Sequence, residues 1–381
     1  MSMRGSWVER IYTPAGSERA PAPYRAFVPA PIATLEPELG PASIGALVEA
    51  ESALRAWSEH LGGRAEPERA ILRSLFARLE AVSSSTFEGV SAASGALSFA
   101  MAHPNRVREE NLLFILGNLA ALERAARAGA RATTFGVSDL TDCHRDLMNG
   151  VRPFGGQVRD EAVWIGGAFS TPLNADYVPP PPECLSGALE DLAAFVRRTD
   201  LPSVWQGLVA HAQFETIHPF ADGNGRCGRA LFALVFAAGG LSMPPLSARF
   251  LARRREYIAA LEAFRADDLE GCVLAICDAL LDAITIAVRA EEAYDRAQAE
   301  LRAAAGARRD SAAARALAYL AVAPLTEVRA LADSLSVSFG AASGAVRALA
   351  EAGLLVPEND NLRGRRWRCP RGEKLLREIG A

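Results

Sequence analysis

The chain has 381 residues, half of them hydrophobic, with 41 basic and 45 acidic side chains and a formal net charge of −4. That length leaves room for two or three domains with a sizeable core, and the charge argues against a protein that coats nucleic acid. Lys374 is the lone lysine, and the wealth of Arg, Ala and Gly reads as the codon bias of a GC-rich bacterial genome.

The predicted elements start after a Pro-rich, irregular stretch of about 45 residues. Within it, Tyr24-Arg25-Ala26-Phe27-Val28-Pro29 is an extended apolar clip packed on a helical body. Helical periodicity covers 42–61 and about 66–82, the second with Pro67 in its first turn. Ser83-Ser84-Ser85-Thr86-Phe87-Glu88-Gly89-Val90 then reads as a helix end and turn, because Ser and Thr are poor in helix interiors and good at caps. Further helices are expected over 106–128 and 139–148. The second carries His144, read as a surface or supporting histidine. Ala162-Val163-Trp164-Ile165-Gly166-Gly167 and Asp176-Tyr177-Val178 are two short extended runs joined by a loop, the pattern of a hairpin. A helix over 182–198 supports the core.

Two helical patterns, 203–215 and 226–238, flank Thr216-Ile217-His218-Pro219-Phe220-Ala221-Asp222-Gly223-Asn224-Gly225-Arg226-Cys227-Gly228-Arg229. A helix start offers unpaired amides and partial positive charge, and glycines before it let the backbone form an anion nest. Arg226 and Arg229, three apart, share one face near that end. Together these make a polyphosphate site. Asp222 supplies a hard oxygen for Mg2+, and His218 stands where a general base takes a proton from a hydroxyl.

The remaining chain reads as a helical stretch over 246–264, with Arg253, Arg254 and Arg255 on a solvated face, and a long helix over 269–301. A short linker over 303–310 leads to three helices, 311–320, 326–335 and 339–352, and two strands, 354–357 and 365–369, around a turn at 358–364. This tail resembles a winged helix-turn-helix. Its third helix carries one arginine, Arg347, whereas cations gather at 363–371. DNA contact through wing and backbone and a protein-docking or dimerisation role both stay open.

Cys143, Cys184, Cys227, Cys272, Cys277 and Cys369 form no Cys-x-x-Cys pair and no metal spacing with histidine, which reads as reduced thiols. The first ten residues lack an apolar secretory core. No uncharged run reaches membrane-spanning length, 231–240 being too short. The expected location is cytoplasmic, with no membrane contact.

The string from His218 to Arg229 also matches the signature His-x-Phe-x-Asp/Glu-Gly-Asn-Gly-Arg-x-x-Arg of Fic proteins at every defined position. The resemblance covers about 24–300. It implies a mainly α-helical core with a short β-hairpin flap, and transfer of AMP from ATP to Ser, Thr or Tyr hydroxyls of a protein. By that resemblance His218 is the base, Asp222 the magnesium ligand, and Gly223, Asn224 and Gly225 the phosphate cradle. Arg226 and Arg229 hold the outer phosphates. Ser84 to Gly89 is similar to the family's inhibitory motif Ser/Thr-x-x-x-Glu-Gly/Asn, which implies that Glu88 pairs with Arg229 and denies it to ATP. Val163, Trp164, Ile165 and Gly166 fall in the flap whose strand edge pairs with the target. Tyr257 is implied as an adenine neighbour, with Ile258 where relatives place a second aromatic. The segment before the flap, Arg152 to Arg159, keeps the family's Pro-Gly-x-Tyr/Phe-Arg pattern only loosely. The implied layout is an inhibitory region at 1–105, a catalytic core at 106–302 and the winged-helix tail at 303–381. Transfer of another group, removal of AMP, and an ATP-sensing regulator of transcription are the alternatives.

Overall fold

The computed structural model describes residues 5–14, 20–36, 38–167, 170–306, 311–359 and 365–380. Strands β1 (Ser6–Tyr12) and β2 (Ala22–Val28) pair antiparallel, from Ser6 opposite Val28 to Tyr12 opposite Ala22. The clip at 24–29 is thus one arm of a hairpin in a stretch otherwise expected to be irregular. Proline flanks mask the period-two alternation that makes these strands. The Phe27 amide donates onward to the Val178 carbonyl at 2.9 Å, which lays β2 against the segment returning from the flap.

Helices α1 (Pro41–Gly62) and α2 (Glu66–Phe87) come next. The sequence expectation stops α2 near residue 82, and the helix runs on through Ser83 to Phe87. Burial overrides propensity here: Ser83, Ser84, Ser85 and Phe87 are all buried. The hydroxyls that favour caps find other partners. Thr86 donates back to the Val82 carbonyl at 2.8 Å, and Ser85 Oγ receives the Asn118 amide at 3.3 Å. The helix stops at Glu88, and Gly89 takes the left-handed conformation at φ 81°.

A short helix that periodicity did not announce, α3 (Ser94–Ala102), leads to α4 (Glu110–Gly129), α5 (Val137–Leu147), α6 (Leu185–Val196), α7 (Ser203–Ile217) and α8 (Asn224–Ala238). Every residue of α7 is buried. Helix α8 packs along α4 and α7, and α4 crosses α5 so closely that a Cβ on Gly117 would stand 2.2 Å from the Leu147 carbonyl oxygen. The stretch expected as one helix over 246–264 is two, α9 (Leu246–Ala252) and α10 (Arg254–Arg265), broken at Arg253.

Helix α11 (Leu269–Ala305) is long and apolar enough to cross a membrane, with a mean hydropathy of 2.1 over its most apolar 18 residues. Half of that window is buried inside the protein. Val273, Ile276, Leu280 and Ile284 are buried, and the helix lies against α1, α9 and α10. Its Asp278 and Asp282 both pair with Arg249 of α9, the first at 3.1 Å.

The tail contains α12 (Ala312–Val322), β3 (Leu325–Glu327), α13 (Val328–Leu335), α14 (Phe339–Glu351), β4 (Val356–Pro357), β5 (Arg366–Arg368) and α15 (Pro370–Ile379). The sheet order is β3-β5-β4, all antiparallel. Residues 326–327, expected as helix, belong to β3, because Leu325 to Glu327 pair with Arg368 to Arg366 from far along the chain. Helix α15 has no counterpart among the expected elements. The linker expected at 303–310 begins inside α11, which runs on to Ala305, and its residues 307–310 lie outside the described residues, as does the tip of the expected turn at 360–364. The tail rests on the body: α12 on α2 and α11, α15 on α3 and α11, β3 on α3.

Candidate active site

Helix α7 ends because His218 turns left-handed, at φ 50° and ψ 60°. A non-glycine residue there stores strain of about 1 kcal/mol, which the surroundings must offset. They do so through Arg159, which donates to the His218 carbonyl at 2.8 Å and to the Pro180 carbonyl at 2.7 Å, while its own amide donates to Pro219. Arg159 is buried, and the side-chain hydrogen bonds it makes within the described residues all go to carbonyl oxygens, so it acts as a staple between the signature loop and the base of the hairpin. Sequence reasoning left it unassigned. The signal was there: from Gly156 to Arg159 the chain keeps the glycine and arginine of the family pattern at the family spacing.

The loop is closed by Asn224. Its Oδ1 accepts the Phe220 amide at 2.8 Å and its Nδ2 donates to the Phe220 carbonyl at 2.7 Å. Phe220 in turn stacks on His144, with ring centroids 3.8 Å apart. His144 accepts the Gly156 amide on Nδ1, so its Nε2 carries the proton and donates to the Asp222 carbonyl at 3.0 Å. Burial pushes His144 down to about 4, which keeps it neutral in this role. The histidine read as supporting is therefore a buried prop under the loop. Gly223 takes φ 80°, a conformation that favours glycine, and α8 begins at Asn224 with no side-chain cap. The first amides of α8 are left for an external acceptor.

Arg226 is buried with its guanidinium 4.5 Å over the Phe114 ring and 3.7 Å from Asp222, and its Nε and Nη1 have no partner among the described residues. Arg229 is also buried, and its Nε and Nη2 are engaged. It donates from Nε to Ser84 Oγ at 2.9 Å, and from Nη2 to the Ser84 carbonyl at 3.0 Å and to Glu88 Oε1 at 2.8 Å. Glu88 and Arg229, expected to pair across the chain, do meet, and Ser84 joins them in a contact that was not expected. Gly89 lies just beyond, past the end of α2. Gly225 makes the contact fit, since a Cβ there would lie 2.3 Å from Glu88 Oε1. Arg254, expected on a solvated face, caps α2 by donating to the Phe87 carbonyl at 2.6 Å beside Glu88.

His218 keeps a fifth of its side chain exposed, and its Nδ1 lies 4.0 Å from Glu215 one turn earlier. Burial and the nearby Arg159 guanidinium push His218 down to about 4. Burial pushes Glu215 up to about 7, against the pull of Arg229. No sequence signal singled out Glu215. It is a carboxylate inside a helix that is buried on every side, which only packing reveals.

The expected hairpin is a single antiparallel bridge, in which Ile165 and Tyr177 exchange both backbone hydrogen bonds, at 2.8 and 3.1 Å. Val163, Trp164 and Ile165 are half-buried and Gly166 is exposed. The Trp164 indole donates to the Ser170 carbonyl, and Tyr177 Oη donates to the Thr216 carbonyl beside the signature, both at 2.8 Å. Tyr257 is buried, its hydroxyl 3.0 Å from His211 and its ring against Phe87 and Phe250.

Residues 134–236 match the Fic/DOC family model. That stretch, which contains the signature loop, is similar to Fic/DOC domains. The curated protein adenylyltransferase fic-1 of Caenorhabditis elegans is 28% identical over 138 residues, 36% of this chain and 25% of the relative. A probable protein adenylyltransferase of Aquifex aeolicus is 31% identical over 119 residues, 31% of this chain and 33% of the relative. The chain thus spans a quarter to a third of the length of these relatives. A solved Fic family protein from Desulfovibrio desulfuricans shares the fold with a TM-score of 0.55 at 20% identity, over 87% of this chain and 96% of that one. The Fic match holds the signature and the flap, whereas Ser84 on α2 and Glu88 at its C-terminal cap lie before it.

Proposed function

We propose that this protein is an adenylyltransferase that moves AMP from ATP to a hydroxyl side chain of a protein, and that Glu88 holds it inactive. The observation that carries the reading is the pair of arginines on α8: Arg226 has donors without partners beside an uncapped helix start, and Arg229 is clamped by Glu88 and Ser84. The names of the relatives support the same chemistry.

In the reaction, the acceptor oxygen forms a bond to the α-phosphorus of ATP and the bond to the bridging oxygen breaks, releasing pyrophosphate. His218, neutral because its ordinary value is pushed down to about 4, takes the hydroxyl proton. The amides of Asn224 and Gly225 and the Arg226 guanidinium hold the phosphates, joined by the Gly223 amide when Asp222 Oδ1, which accepts it at 2.6 Å, turns to the ion. Residues 163–166 offer their backbone to the target. Arg229 reaches the terminal phosphate only when Glu88 gives it up.

Asp222 fits as the protein's contact with Mg2+. Its side chain is 45% exposed and no cluster of three metal-ligating side chains exists among the described residues. That suits an ion held by one carboxylate, water and substrate phosphates. Bound there, the ion would neutralise phosphate charge.

We read the tail as a winged helix that docks on the body in preference to DNA. Its cations have partners within the chain: Arg366 pairs with Glu358 at 2.9 Å, Arg368 with Glu373 at 3.4 Å and Arg371 with Glu300. A steep loss of DNA retention with salt would favour the opposite reading.

The test is intact-mass analysis of wild type, Glu88→Gly and Glu88→Gly/His218→Ala after incubation with magnesium, ATP and a bacterial extract as acceptor source. AMP gained by the chain or by extract proteins with Glu88→Gly, and lost in the double variant, supports the reading. Transfer that persists without His218 refutes it.

A further inference from the structure

Away from the Fic signature, a cavity of about 570 Å³ lies where the tail meets α2, α3 and α11. This volume suits a small organic ligand. Its wall includes Ile71, Leu75, Met101, Ala318 and Val322, an apolar lining drawn from α2, α3 and α12.

Arg78 also lines the cavity and is 1% exposed. Burying a guanidinium without a carboxylate is costly. Arg78 donates to Ser98 Oγ at 3.1 Å, to the Ser94 carbonyl at 3.1 Å, to Ser94 Oγ at 3.0 Å and to Met101 Sδ at 3.7 Å. Those partners are neutral, no ion pair to Arg78 occurs among the described residues, and its Nε has no partner. Burial pushes the guanidinium down to about 10. The hydroxyl of Tyr294, also in the wall, is buried without a partner. Arg302 and Arg315 stand exposed at the rim. The one carboxylate of the lining, Glu68, already pairs with Arg64 at 3.3 Å.

We infer that this cavity is a binding site for a small amphipathic anion, its acidic head taken by Arg78, Arg302 and Tyr294 and its apolar body by the wall. Arg78 sits on α2, the helix that ends at Glu88, so occupancy bears on the grip of Glu88 on Arg229. That link rests on Glu88 being the inhibitory group, whereas the site does not.

The probe is anilinonaphthalene sulfonate, with uncharged phenylnaphthylamine as its counterpart, titrated by fluorescence into the full chain without nucleotide. One sulfonate probe is expected to bind per chain, about tenfold tighter than the uncharged one. Arg302→Gln should weaken it about threefold or more, and Ala318→Trp, which fills the cavity, should remove it. Equal affinity for both probes, or undiminished binding in Ala318→Trp, overturns the site. If Ala318→Trp does not fold, undiminished binding in Arg302→Gln does so. The link is read separately, as a change in ATP affinity on adding the sulfonate probe to wild type that is absent in Ala318→Trp. No change overturns the link and leaves the site standing.

Discussion

Glu88 Oε1 lies 2.8 Å from Arg229 Nη2, on a guanidinium that Ser84 already holds through both its hydroxyl and its carbonyl. Ser84 positions the fork and Glu88 occupies the donor that faces the site. The Glu88 side chain is 35% exposed against 2% for Arg229, so the carboxylate is the partner free to leave. A charge-assisted hydrogen bond of this kind contributes about 1.5–3 kcal/mol. Glu88→Gly is therefore expected to raise AMP transfer about 10- to 100-fold, with Glu88→Gln between the two, measured with labelled ATP. Equal rates in all three proteins would sink the clamp.

The pH profile of Glu88→Gly is set by the environment of His218. As the proposed base, His218 works when neutral, above its value of about 4. Transfer should stay level between about pH 5.5 and 8, where an ordinary imidazole near 6.5 would already lose activity. A fall centred near 6.5 would show that the substrate complex returns His218 to its ordinary value.

Stability should fall in acid before any ordinary carboxylate titrates. His144 and His218, both near 4, and His211, near 3, are neutral in the fold and take up protons on unfolding below about pH 6.5. Each loses on the order of 1 kcal/mol of stability between pH 7 and 5.5. Glu215 works the other way: its folded value near 7 favours the fold as pH drops toward its ordinary value, returning on the order of 1.5 kcal/mol. The net expectation is a loss of about 2 kcal/mol over that interval, read from denaturant midpoints. A rise in stability would mean that Glu215 outweighs the three histidines.

Two glycines should respond with opposite signs. Gly117→Ala drives a Cβ to 2.2 Å from the Leu147 carbonyl oxygen and pushes α4 off α5, at a cost of about 1–3 kcal/mol. Gly45→Ala, inside α1 with nothing within 4 Å of the new methyl, should stabilise by about 0.5–1 kcal/mol. Thermal melts of both variants decide it, and a loss of stability in Gly45→Ala would contradict the open space around it.

Most of the candidate site was legible in the sequence because it is local. His218 to Arg229 is one loop and one helix turn, so residue type and spacing alone put a base, an acid, an anion nest and two guanidinium groups together. Glu88 and Arg229 lie 141 positions apart, and the legibility of their pairing came from the resemblance to a family motif. What only the tertiary structure decided are the features whose cause lies elsewhere in the chain. Ser83 to Phe87 are helical, against their own preference, because packing buries most of them and Arg229 and Asn118 donate to the Ser84 and Ser85 hydroxyls. Residues 326–327 are strand because β5 returns to pair with them. Arg159 staples His218 to the hairpin, His144 props Asp222, and Glu215 is held near neutrality, each through contacts between helices that no periodicity records. Local spacing carries chemistry that one turn of helix can assemble. Burial, which sets protonation and holds the strained His218 in place, exists only once distant segments close around it.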